Sequence, residues 1–116
     1  MARQEADRLP RQSWESTMRM MLKAQMDTAT ASKAIQAGRM PTVMQSMMEM
    51  LKPEAAYFGP DGGHRTAFII FQMDDPSQLP AISEPLFSEF GASVEIFPVM
   101  DRDDLERGLS ALGNHD

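Results

Sequence analysis

One domain is what 116 residues allow, and 42% hydrophobic with 24% charged residues is the balance of a packed core rather than of a disordered or fibrous chain. The absence of cysteine excludes disulfides, thiolate metal sites and cysteine nucleophiles together. A net charge of −6, with no basic stripe interleaved with aromatics, leaves a nucleic-acid partner without its electrostatic footprint.

Residues 1–17 are polar, hold Pro10 and sustain no hydrophobic period. They are read as a flexible N-terminal arm or an over-extended start, with Met18 an alternative initiator and Trp14 the one aromatic able to dock on the fold. Arg3, Arg8 and Arg11 balance Glu5, Asp7 and Glu15 in this arm, so the acidic excess belongs to the single domain expected over residues 18–116. No apolar secretory core is visible, and the longest apolar run, Ala67–Phe71, falls far short of the ~20 residues that cross a bilayer. The expected compartment is the cytoplasm, with no membrane partner.

The run Met18–Met26 reads as a first strand. Asp27 is a helix N-cap before the alanine-rich stretch Ala29–Ala37, and Gly38 is a C-terminal stop. Pro41 is suited to the first position of a second helix, where its missing N–H is harmless. Val43, Met44, Met47, Met48 and Leu51 give that helix one apolar stripe, and Pro53 ends it. Strands Ala55–Gly59 and His64–Met73 follow, joined by Pro60-Asp61-Gly62-Gly63, a hairpin turn that sets Tyr57 opposite Thr66 or Phe68. Asp75 caps and Pro76 opens a further helical stretch with Ile82, Leu86, Phe87 and Phe90 at its buried face and Gly91 at its end. Pro85 within it predicts a kink or a delayed start. Val94–Met100 is the fourth strand. A last helix starts at Asp101, with Asp104 in a box-like arrangement, and carries Leu105, Leu109 and Leu112 before Gly113.

The order is β-α-β-β-α-β with a short C-terminal helix: an α+β, ferredoxin-like fold with a four-stranded antiparallel sheet and helices on one face. Alternate strand residues point to opposite sides. One side reads Met20, Leu22, Ala24, Met26, Ala56, Phe58, Ala67, Ile69, Phe71, Met73, Val94, Ile96 and Met100, wholly apolar and suited to the helices. The other reads Arg19, Met21, Lys23, Gln25, Tyr57, Thr66, Phe68, Ile70, Gln72, Glu95, Phe97 and Val99. That mixture is too apolar for water and too polar for a core, so it asks for a second sheet. A second copy, packed face to face in a homodimer or higher even oligomer, supplies one and makes a dimeric α+β barrel.

The mixed face is also the one candidate site. Lys23, Gln25, Tyr57, Thr66, Phe68, Gln72, Glu95 and Phe97 would line a mostly apolar cavity with a few polar groups, the ordinary form of a small-molecule site. Lys23 and Glu95 share this face and can pair. Glu95 is then the acid–base candidate, with Tyr57 or Lys23 its electrostatic partner. His64, at the hairpin edge, is a further acid–base candidate, and His115 lies in a short polar end. A closed interface without a cavity is the competing reading.

Twelve methionines raise soft-metal binding through Met18, Met20 and Met21 or Met44, Met47 and Met48, but both sets fall on packing faces without His or Cys support. The run Asp101–Asp104 fails as an EF-hand loop, because the sixth and twelfth positions are Glu106 and Leu112. No phosphate-binding, zinc-protease or nucleophile-elbow motif occurs, so no metal and no cofactor are expected.

The segments Lys52-Pro53-Glu54-Ala55-Ala56-Tyr57-Phe58, Arg65-Thr66-Ala67-Phe68 and Asp75-Pro76-Ser77-Gln78-Leu79-Pro80-Ala81-Ile82, with Glu84-Pro85 and Pro98-Val99-Met100, resemble a family of small uncharacterised bacterial proteins. The likeness covers roughly Met18 to Leu112; residues 1–17 depart from it. That family is similar to the dimeric α+β barrel superfamily, which includes monooxygenases, muconolactone-type isomerases and proteins without known activity. The resemblance implies the barrel, and no catalytic motif carries over. Two functions follow as expectations: a binding or interaction protein holding a small apolar or weakly acidic ligand, and a cofactor-free isomerase or monooxygenase.

Overall fold

The computed structural model describes residues 17–113; the N-terminal arm with Trp14, and His115, lie outside them. Four strands, β1 (Met18–Gln25), β2 (Ala55–Asp61), β3 (His64–Met73) and β4 (Ser93–Pro98), form one antiparallel sheet in the order β2-β3-β1-β4. Helices α1 (Thr28–Gln36) and α2 (Arg39–Leu51) link β1 to β2, α3 (Leu79–Phe90) links β3 to β4, and α4 (Arg102–Gly113) follows β4. This is the ferredoxin-like arrangement.

Local chemistry explains the boundaries. The Asp27 carboxylate accepts from the Thr30 backbone N–H at 3.0 Å and from its hydroxyl at 2.7 Å, satisfying an orphan donor of α1. Asp75 and Gln78 cap a single 3₁₀ turn, Pro76–Gln78, reciprocally. At α4 the Asp104 N–H donates to Asp101 Oδ1 at 2.8 Å while the Asp101 N–H donates to Asp104 Oδ2 at 3.1 Å, the box expected from the spacing. Gly91 ends α3 at φ 56°, and a Cβ there would lie 3.2 Å from the Asp27 Cβ, so glycine lets α3 stop close against the start of α1 without strain.

Three details differ from expectation. Pro41 is the third residue of α2, not the first; the first four N–H groups of a helix have no intrahelical partner, so the position is equally harmless. Helix α3 runs through Pro85, and the carbonyl of Ala81 that loses its donor belongs to an exposed residue open to water. Strand β2 continues to Asp61, leaving only Gly62 and Gly63, at φ 63° and 83°, in the turn.

Register decides the faces. Met20, Leu22, Ala24, Ala67, Ile69 and Phe71 are buried beneath the helices, joined by Ala31, Ala34, Met47, Leu51, Ile82, Leu86 and Phe90. Phe58 and Met100, placed on the same side by alternation, are exposed instead. Phe58 sits on the outer strand, where the helix layer ends, and Met100 lies beyond the last residue of β4. No described helix is long and apolar enough to cross a membrane.

Candidate functional site

Strand pairing assembles the mixed face as one surface. Lys23 stands between Phe68 on β3 and Glu95 on β4, Tyr57 pairs with Phe68, Met21 lies between Ile70 and Phe97, and Gln25 lies between Thr66 and Ser93. None of the three β-linking helices packs on this side. Tyr57 is 67% and Phe97 41% exposed, and Met21, Phe68, Ile70 and Val99 are half-buried. Helix α4 has no buried residue, and its Leu105, Leu109 and Leu112 form an uncovered stripe.

Two polar clusters bracket the apolar centre. At one end Arg19 binds Glu54 (2.9 Å), Asp104 (2.6 Å) and Asp101 (3.3 Å), so a residue of the open face anchors the start of α4. Gln72 donates to the same Glu54 oxygen at 2.7 Å. The hydrogen bond to Glu54, ahead of the Asp101 and Asp104 charges, raises the Arg19 pKa further above its ordinary value. Beside this cluster a depression of about 410 Å³ is lined by Met18, Arg19, Gln72, Pro98, Val99 and Met100, among others.

At the other end Lys23 Nζ lies 2.8 Å from Asp61 Oδ2, and Gln25 Nε2 donates to the Asp61 carbonyl at 2.7 Å. Lys23 also sits 6.0 Å from the centroid of the Phe68 ring. Hydrogen bonding and charge attraction from Asp61 raise the Lys23 pKa, with Glu95 the smallest contributor. Lys23 and Glu95 are direct neighbours across the strands, yet the close ion pair of Lys23 is with Asp61. Asp61 is hidden as a partner in the sequence because Pro60-Asp61-Gly62-Gly63 has the chemistry of a turn; the longer β2 returns it to the sheet.

The remaining candidates occupy different surroundings. Glu95 is exposed and has no hydrogen-bond or ion-pair partner among the described residues. His64 is at the hairpin base, its Nδ1 3.4 Å from the Thr28 hydroxyl, away from Glu95. Thr66 is only 3% exposed, and its hydroxyl donates to the His64 carbonyl at 2.9 Å. Among the methionines, Met20 turns under the helices and Met21 to the open face, so the first cluster does not converge. No group of three or more His, Asp or Glu fit to hold a metal occurs among the described residues.

The family model of a domain of unknown function, DUF3303, matches residues 18–113, from the first residue of β1 to the last of α4. The chain belongs to this family. No curated protein and no solved structure matches it. In this chain the DUF3303 domain is an α+β unit whose four-stranded sheet is covered by helices on one face and open on the other.

Proposed function

We propose that this DUF3303 domain works as a homodimer of the dimeric α+β barrel type, whose two open faces enclose a small apolar or weakly acidic molecule. The observation that carries this reading is the exposure of Tyr57 and Phe97 among half-buried Met21, Phe68, Ile70 and Val99 on a central sheet face. Contiguous apolar patches of more than a few hundred Å² mark interaction sites on most proteins. The leucine stripe of α4, anchored through Arg19 to the same side, extends the surface that a second copy would cover.

Holding a ligand suits the chemistry better than transforming one. Lys23 and Arg19 are engaged by carboxylates, and the Thr66 hydroxyl by a carbonyl, so few polar groups are left to move a proton. One observation favours the second reading, a cofactor-free isomerase or monooxygenase: Glu95 is opposite Lys23 and unengaged among the described residues. Its carboxylate would be the base in that case.

The test is substitution on the face. Phe97→Glu and Tyr57→Glu each place a charge at the expected two-fold contact and should give monomers by light scattering with unchanged circular dichroism. Wild-type mass in both variants would remove the face-to-face dimer. With dimers in hand, a thermal-shift screen of small carboxylic acids distinguishes a ligand-holding interface, which is stabilised, from a closed one, which is not.

A further inference from the structure

The helix layer leaves part of its own side of the sheet open. At the β2 edge Phe58 is 58% exposed, although it pairs with buried Ala67 and alternation turns it toward the helices. Here Met26, Met40, Met44, Phe58 and Pro60 line a groove of about 650 Å³. Arg65, on β3 opposite Pro60 and turned to the same side, is the single charged residue of the lining among the described residues. Its Nη1 donates to the Ser32 hydroxyl at 3.3 Å, and it has no carboxylate partner among the described residues, in a chain of net charge −6.

We infer that this groove binds an amphiphile made of one apolar chain with a terminal carboxylate. The chain lies along Phe58 and the methionines, and the carboxylate meets Arg65. The volume is within the ~300–1,000 Å³ of ordinary ligand sites, and methionine side chains adapt to an irregular apolar guest. A guanidinium offers a carboxylate two parallel N–H donors, so the site selects an anionic head over a hydroxyl and repels an ammonium. The groove lies on the opposite side of the sheet from the proposed dimer face, so its occupancy is independent of oligomeric state.

Methyl-labelled methionine NMR reads the site directly. Decanoate, titrated below its micelle concentration into the full chain, should shift the methyl signals of Met26, Met40 and Met44 and leave Met21, on the other face, in place. Decanoate should bind about tenfold more tightly than decanol, the scale of one charge-assisted contact, and decyltrimethylammonium more weakly than either. Arg65→Gln should erase the preference for decanoate over decanol without changing the spectrum of the free protein. Phe58→Glu, at an exposed position, should weaken decanoate by a route that does not remove the arginine. Equal affinity for decanoate and decanol, shifts confined to Met21, no saturable binding, or an unaltered preference in Arg65→Gln would each overturn the assignment.

Discussion

Ile69 and Ile70 are adjacent and chemically identical, and the same truncation should weaken folding at the first and association at the second. Ile69 is 1% exposed beneath the helices, opposite Leu22 and Ala56, whereas Ile70 is half-buried on the open face, opposite Met21 and Ala55. Ile69→Ala removes three carbons from a closed core and should cost about 3–4 kcal/mol, the transfer loss plus the cavity left behind. With an m-value of about 1.5–3 kcal/mol/M, that lowers the urea midpoint by about 1–2.7 M at every protein concentration. Ile70→Ala removes the same three carbons where roughly half the side chain is already covered. At ~0.8 kcal/mol per methylene it forfeits about 1 kcal/mol per copy, hence about 2 kcal/mol in the proposed dimer and roughly a 30-fold weaker association. Urea titrations at two concentrations a hundredfold apart, paired with sedimentation, separate the two effects. If Ile70→Ala lowers the midpoint as much as Ile69→Ala independently of concentration, the division of the sheet into a covered and a docking face is refuted.

Three further outcomes follow from local geometry. Asp27, Asp75 and Asp104 are all held below the usual carboxylate range, by hydrogen bonds led respectively by the Thr30 side chain, the Ser77 side chain and the Asp101 backbone. A depressed folded pKa contributes stability above the unfolded value of ~3.9 that is lost as pH falls through the folded value, so the urea midpoint should drop below about pH 4. Asp27→Asn, which keeps a cap acceptor, should flatten that drop; an unchanged acid limb would contradict the assignment. Lys52 closes α2 at φ 47°, a conformation costly for any side chain, and Lys52→Gly should raise stability by about 0.5–1 kcal/mol in the same titration. Arg19→Met removes the tie between the sheet and the start of α4, so amide exchange should quicken across Arg102–Gly113 while β1 and β3 keep their protection.

What could be read from the chain divides along physical lines. Strand parity was legible because side chains alternate with period two whatever the exact boundaries. Thus Leu22 and Ile69 were placed in the core, and Lys23, Tyr57 and Glu95 on one common face. Caps were legible because Asp27, Asp75 and the pair Asp101 and Asp104 act within three residues. The exposure of Phe58 was not, since it depends on how far the helix layer reaches over the edge strand, which no local pattern encodes. Likewise the ion pair of Lys23 with Asp61 depended on β2 running two residues further than its turn chemistry suggested. Alternation from Ala67 turns Arg65 toward the helices beside Phe58, but that it meets an open groove there follows only from the folded sheet edge.

Sedimentation equilibrium of the wild-type chain from micromolar to millimolar concentration tests the central claim most directly. A mass settling at twice 13.0 kDa, with Tyr57 and Phe97 shielded from solvent in the dimer, is the predicted result. A mass that stays at 13.0 kDa throughout, with both aromatic rings open to quencher, would contradict the account.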